Sequence, residues 1–295
     1  MRRRKYHIRL GKLLAFILAI IALCGALVYA ATSIYRYVSM KSDTGTAEAA
    51  SAPDYYLLVG INNDPVPSAE TVIVCSVDRK TKHLDLISVP ASTSSGLGID
   101  AKNQITVGEA YRKGGVIEAK SCIENLMHIR INHFIIFNEK TFNEAMNHFG
   151  NINLYVEQEM MHNKGDGTAD FHLYTGYQTL DANGAMAYVR YMDPEQDEIA
   201  RIQRQQRFMK TCLLQMQQHY AVTNWEMVRH YWAPYYSNVT YKEAASLAYD
   251  ITGFPAENIQ FAILPGEMET KDKNTNVWVV NPIEMQKTIA STINQ

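Results

Sequence analysis

The sequence predicts an α/β protein, an αβα sandwich with a central mixed β-sheet flanked by helices and preceded by one N-terminal transmembrane helix. Three observations carry this. From Tyr55 onward, short apolar β-rich runs alternate with longer segments whose apolar residues recur at helical spacing. The first runs come before any long helix, and two of them are joined by the polar turn DRKTK, so antiparallel pairing accompanies the parallel pairing that strand–helix alternation implies. One long uncharged apolar stretch stands apart near the N-terminus.

That stretch, Leu13 to Ala31, reads LLAFILAIIALCGALVYAA, nineteen residues without a charge. As a helix it would be close to the roughly 30 Å of a hydrocarbon core. Arg2, Arg3, Arg4, Lys5, Arg9 and Lys12 precede it, whereas only Arg36 and Lys41 follow closely. The positive-inside bias therefore puts the N-terminus in the cytoplasm and the remainder outside, in a single-pass cell-membrane protein held in the lipid bilayer by residues 13–31. A cleaved signal peptide would have a shorter apolar core and a nearer small-residue cleavage site than Ala47, Ala49 and Ala50. The expected organisation is a basic tail (1–12), the transmembrane helix (13–31), a stalk (32–54) containing SDTGTAEAASAPD, and one extracytoplasmic domain (55–295).

Within that domain YYLLVG (Tyr55 to Gly60) suits a buried central strand, and TVIVCSV (Thr71 to Val77) and HLDLISV (His83 to Val89) suit a hairpin. Val116 to His128 has helical spacing, HFIIF (His133 to Phe137) reads as a strand, and Glu139 to Phe149 is a helix stopped by Gly150. Then follow strand INLYV (Ile152 to Val156), helices over Asp181 to Tyr191, Asp197 to Tyr220, Asn224 to Tyr231 and Tyr241 to Thr252, strand Ile259 to Leu264, and a last helix from Pro282.

With 295 residues, 47% of them hydrophobic, the chain is long and apolar enough to bury a core, which excludes disorder and a disulfide-dense mini-scaffold. Eight of its 28 basic residues lie before residue 42, so the rest sets 20 basic groups against 30 acidic ones. A domain of that balance lacks the basic surface that binds nucleic acid, and no nucleic-acid partner is expected. Cys24 falls in the apolar stretch, and Cys75, Cys122 and Cys212 sit in strand or helix patterns, so buried free thiols are the simpler reading than disulfides. The histidines show no HxH or HExxH spacing, and GxSxG, Walker and GxGxxG motifs are absent. KGDGTAD (Lys164 to Asp170) lacks the length and terminal Glu of a calcium loop and reads as a polar turn.

The densest polar constellation runs from Leu180 to Lys210. On a helix from about Asp197, residues 197, 201, 204 and 208 share a face, bringing Asp197, Arg201 and Arg204 together, with Arg190 supplied by the preceding helix. Guanidiniums so placed can clamp a phosphate or pyrophosphate. The same spacing also fits a solvated helix laced with pairs such as Asp197 with Arg201. Asn62, Asp64 and Glu70 flank core strands where α/β sheets bind ligands, and their oxygens could hold Mg²⁺ or simply build turns.

GYQTLDANGAMAYVRY (Gly176 to Tyr191) followed by DEIARIQRQQRF (Asp197 to Phe208) resembles the LDG-x-x-A-L-A-Y-x-R segment and the D-x-x-R-x-x-R-Q-Q helix of the LytR-CpsA-Psr family. YYLLVG, ETVIVCSVDRKTKHLDLISVP (Glu70 to Pro90) and AYRKGG (Ala110 to Gly115) are further echoes in the same order. The resemblance implies an αβα fold with an apolar tunnel for a polyprenyl pyrophosphate carrying a glycan, which is transferred to a peptidoglycan hydroxyl. It implies that Arg190, Arg201, Arg204 and Gln205 hold the pyrophosphate, with Asp197 orienting an Arg, and that Mg²⁺ is bound by Glu70, Asn62 and Asp64. Against the family pattern, Asn62 stands for an Asp, Ser68 for an Arg, Glu70 for an Asp, Ala91 and Ser92 for Arg-Asp, and Met192 for an Arg. Two functions follow: a glycopolymer phosphotransferase, or a catalytically silent relative that binds polyprenyl-linked glycans or scaffolds an envelope complex.

Overall fold

A computed structural model describes residues 53–98, 101–163, 169–192, 198–219, 225–272 and 275–293. The expected transmembrane helix, most of the stalk, Asp197 and the segment 164–168 of the KGDGTAD turn lie outside the described residues. Among those that are described, no helix is long and apolar enough to cross a membrane.

In chain order the elements are β1 (Asp54–Ile61), β2 (Ala69–Asp78), β3 (His83–Ser88), α1 (Val107–Met127), β4 (His133–Phe137) and α2 (Glu139–Phe149). Next come β5 (Ile152–Val156), β6 (Met160–Asn163), β7 (Ala169–Leu173), β8 (Gly176–Leu180), α3 (Ala182–Arg190) and α4 (Glu198–His219). The chain continues through α5 (Trp225–Trp232), β9 (Tyr236–Ser237), α6 (Tyr241–Thr252), β10 (Ile259–Ile263), β11 (Gly266–Asp272), β12 (Thr275–Val280) and α7 (Pro282–Ile293).

Six strands make the central sheet in the order β10-β3-β2-β1-β4-β9. β1 is antiparallel to β2 and parallel to β4, and β3 is antiparallel to β2 and parallel to β10, so the sheet is mixed as expected. The period-two alternation of a strand sorts its side chains. Leu57, Val59, Val72, Val74 and Ile87 face one layer, where Val116, Ala119, Ile123 and Leu126 of α1 and Met285 of α7 cover them. Tyr56, Ile73, Cys75, Val77, Leu84 and Leu86 face the other, against Met209 and Leu213 of α4 and Leu247 and Ile251 of α6. Each such aliphatic side chain contributes on the order of 2 kcal/mol by leaving water, which is why the continuous apolar runs became central strands.

Some elements depart from expectation. The helix expected from Val116 begins at Val107, where the Thr106 hydroxyl accepts the Glu109 N–H and the Glu109 carboxylate accepts the Thr106 N–H. It is broken at Gly115, whose φ of 65° a side chain would resist. INLYV does not join the central sheet: β5 pairs with β8 as a separate ribbon, and β6–β7 and β11–β12 are two further hairpins. These short strands are half polar, so their pattern was indistinct in the sequence. Ile152, Leu154, Val156, Leu180 and Met160 pack on Tyr188 of α3 and Phe208 of α4, a second lobe beside the sheet. Helix α4 is the wedge between lobe and sheet, and the site forms along it. Cys75, Cys122 and Cys212 are free thiols, the first two buried; burial pushes the Cys75 thiol up to about 12.

Candidate functional site

Strands β1 and β4 run parallel and end side by side, opening a crevice at their carboxyl ends, the place where α/β sheets bind ligands. Gly60 makes the closing pair possible: a Cβ there would lie 2.9 Å from the Phe137 ring. Ile61, Ile73, Phe137, Phe142, Met186, Val189, Phe208 and Met209 give the crevice an apolar wall, while Asn62, Asn63, Glu70, Glu139, Arg190, Arg201 and Gln205 supply polar groups. The crevice, open to solvent on one side, has a volume of about 140 Å³. That is close to the roughly 150 Å³ cavity that takes up a benzene ring. A wider groove, lined by residues such as His162, Phe171, His172 and Tyr191, shares Glu139, Met186 and Arg190 with it.

Arg190 closes α3 and Arg201 sits in the first turn of α4, so two helix ends deliver two guanidiniums. Arg190 donates from Nη1 to Glu139 Oε2 at 2.9 Å, and its Nη2 lies 4.0 Å from Glu70 Oε2. Asn63 also donates to Glu139, at 3.0 Å. Arg201 donates to the Glu70 backbone carbonyl at 3.1 Å and lies 3.6 Å from Glu198. Its side chain is 11% exposed, and among the described residues its Nε has no hydrogen-bond partner. A buried donor left open in an arginine is a position that an anionic oxygen would satisfy.

Arg204 is not brought to this pocket. On α4 the pocket face carries Arg201, Gln205, Phe208 and Met209, and at about 100° per residue Arg204 is turned roughly 60° away from Arg201, on the side opposite Gln205. Its guanidinium, 2% exposed, donates to the Tyr191 carbonyl at 2.5 Å, lies over the Tyr191 ring and faces Glu157 at 3.9 Å. Burial lowers its pKa, with Glu157 acting against the shift. Arg207 and the Tyr188 hydroxyl also bond Glu157, and burial first, with the Glu157 charge, pushes Tyr188 up to about 12. Arg204 thus belongs to a charge cluster that ties α4 to α3 and the second lobe. Gln205 does line the pocket, donating to the Val189 carbonyl at 3.2 Å.

Of the residues expected to hold a metal, Asn62 and Glu70 line the pocket and Asp64 does not. Asn62 Oδ1 accepts the Ser68 N–H at 3.0 Å, and its Nδ2 donates to Asp64 at 2.7 Å and to the Ser68 hydroxyl at 3.0 Å. The amide is therefore committed to closing the β1–β2 loop, with Asp64 exposed beside it, and the Glu70 carboxylate faces Arg190. Among the described residues no three His, Cys, Asp or Glu side chains gather as a metal site.

A model of the LytR_cpsA_psr family matches residues 57–294. The chain belongs to that family. Among relatives, an uncharacterised Staphylococcus aureus protein is 26% identical over 51% of this chain and 36% of its own. The polyisoprenyl-teichoic acid–peptidoglycan teichoic acid transferase TagU of Enterococcus faecalis is 25% identical over 77% of this chain and 76% of its own. TagV of Bacillus subtilis, of the same printed activity, is 28% identical over 41% of this chain and 32% of its own. The matched segment thus spans about a third of the Staphylococcus and Bacillus proteins and three quarters of the Enterococcus one. The fold is that of crystalline B. subtilis TagV (TM-score 0.68, 20% identity, 82% of this chain and 98% of that one). It is also that of TagT bound to LIIa-WTA (TM-score 0.65, 18% identity, 85% and 95%).

Two acids of this LytR-CpsA-Psr chain went unnoticed in the sequence. Glu139 looked like an ordinary first-turn helix residue. Glu198, three residues before Arg201, is the one that satisfies the acid-x-x-Arg spacing, whereas Asp197 is four before it. Glu198 accepts the Ala91 N–H at 2.8 Å and the Ser92 hydroxyl at 2.5 Å, so a carboxylate meets the loop where the family pattern has Arg-Asp.

Proposed function

We propose that this chain handles a polyprenyl pyrophosphate carrying a cell-envelope glycopolymer, with peptidoglycan as acceptor. One observation carries the reading: an apolar pocket with Arg190 and Arg201 at its polar end suits a phosphate head and the first part of the isoprenoid chain attached to it. The printed activities of the Enterococcus and Bacillus relatives support the same substrate class. In transfer, an acceptor hydroxyl oxygen attacks the sugar-linked phosphorus, the bridging P–O bond breaks, polyprenyl monophosphate leaves, and the hydroxyl proton passes to solvent. Arg190 and Arg201 would stabilise charge on the non-bridging oxygens, the main contribution a phosphoryl-transfer site makes. Residues 13–31 would anchor the protein in the cell membrane, with residues 1–12 cytoplasmic and the domain extracytoplasmic.

A second reading, binding of the lipid-linked glycan without transfer, is favoured by the Ala91–Ser92 loop, which meets α4 with the Glu198 carboxylate and offers the phosphate no guanidinium. Full-length protein in nanodiscs, given a polyprenyl-pyrophosphate oligosaccharide and peptidoglycan fragments with and without Mg²⁺, separates the two by mass spectrometry. Polyprenyl monophosphate together with a phosphosugar-bearing fragment is the outcome for the transferase. Intact lipid that stays bound supports the silent relative, and absence of binding overturns both.

A further inference from the structure

We propose that Arg190 takes the place of a divalent ion between the two carboxylates at the pocket mouth, so that the phosphate head is bound by Arg190 and Arg201 without a metal. The inference rests on the reading of this pocket as the site of a phosphate-ended lipid. The Arg190 guanidinium uses one amino group on Glu139 at 2.9 Å and turns the other toward Glu70 at 4.0 Å. A guanidinium already stands between these acids, where they would have to converge on Mg²⁺, which demands near-octahedral oxygens at about 2.1 Å and gives up its water reluctantly. The residue expected to supply a further ligand, Asn62, spends its oxygen on the Ser68 N–H and its nitrogen on Asp64. Glu139 takes a second donor from Asn63 on the same oxygen, Oε2, that Arg190 uses. Arg201, with a buried Nε that has no partner among the described residues, offers the arriving phosphate a second guanidinium.

One consequence belongs to Glu139. It competes with the phosphate for Arg190 and is a positioning residue: it holds the guanidinium at the mouth and yields it when a stronger anion arrives. Neutralising it should tighten phosphate binding, whereas neutralising a metal ligand would weaken it.

The test uses full-length protein in nanodiscs and geranylgeranyl diphosphate as the probe, titrated calorimetrically in EDTA and in MgCl₂, with Mn²⁺ titrated alone and followed by electron paramagnetic resonance. Expected are affinities equal within about twofold in the two buffers and no saturable Mn²⁺ binding. Glu139→Gln should tighten the probe about two- to fivefold, the size of an exposed ion pair. Arg190→Ala should weaken it about tenfold or more, as for the loss of a charge-assisted hydrogen bond. Binding that requires Mg²⁺ and is lost in Glu70→Gln would overturn the inference and leave the proposed function standing. Failure to bind the probe in either buffer would remove both.

Discussion

The Glu198 carboxylate accepts the Ala91 N–H at 2.8 Å, tying the first turn of α4 to the loop that leaves β3. Its other oxygen takes the Ser92 hydroxyl, and Arg201 stands 3.6 Å away. Glu198→Ala would leave the half-buried Ala91 N–H without its acceptor and free Arg201 to swing. A loss of about 1–3 kcal/mol in chemical denaturation is expected, with Glu198→Gln retaining most of it. An unchanged midpoint in the alanine variant would mean that the loop is held elsewhere.

Arg201 and Arg204 are three residues apart yet do different work, and their alanine variants should fail differently. Arg201→Ala removes a pocket donor and should weaken prenyl diphosphate binding about tenfold or more with a small change in stability. Arg204→Ala empties a fully buried position between Tyr191 and Glu157, and should cost about 3 kcal/mol while the folded fraction binds as before. Melting curves and calorimetry on the same preparations check both halves.

Gly60 sets how closely β1 approaches the Phe137 ring. Gly60→Ala places a methyl 2.9 Å from that ring, which must move toward the pocket. Destabilisation of about 1–3 kcal/mol is expected from the overpacking, together with weaker binding of a prenyl diphosphate and unchanged binding of inorganic pyrophosphate. The two ligands titrated side by side read this out; equal losses for both would show that the ring does not border the tail.

Asp85 is buried in β3 with His83 3.3 Å away. Burial holds its carboxyl above the usual range, to about 6, against the opposing pull of His83. A carboxyl raised in the folded state favours the protonated form there, so its contribution to stability is full below the unfolded value near 4 and is lost as pH rises through about 6. Wild type should therefore lose on the order of 2 kcal/mol from this group between those limits, and Asp85→Asn should flatten that part of the stability–pH curve. Urea midpoints across the range decide it; parallel curves for the two proteins would remove Asp85 as the cause.

Much of the fold was readable before any coordinates. Runs such as YYLLVG and TVIVCSV could only be central strands, because a strand buried on both faces has no polar side to show. The helix of Arg201 followed from spacing, whereas its pairing with Gln205 at the pocket came only with the family resemblance. The weakly patterned ribbons β5–β8 and β6–β7 escaped, since alternating exposed and buried residues over four or five positions leave little signal against a loop.

The site divides along the same line. By itself the sequence determined the family and the mixed sheet between helices, and it pointed to three arginines, Arg190, Arg201 and Arg204, on consecutive helices. Only the tertiary structure decided which residues face them. It turned Arg204 into a buried tie to the second lobe, drew Glu139 from the start of α2 to the Arg190 guanidinium, and closed Asn62 onto its own loop. The physical reason is that periodicity reports the angle of a side chain on its own element. Which charge it meets depends on how elements distant in the chain pack, and a rotation of roughly 60° about α4 separates a pocket donor from a core cation.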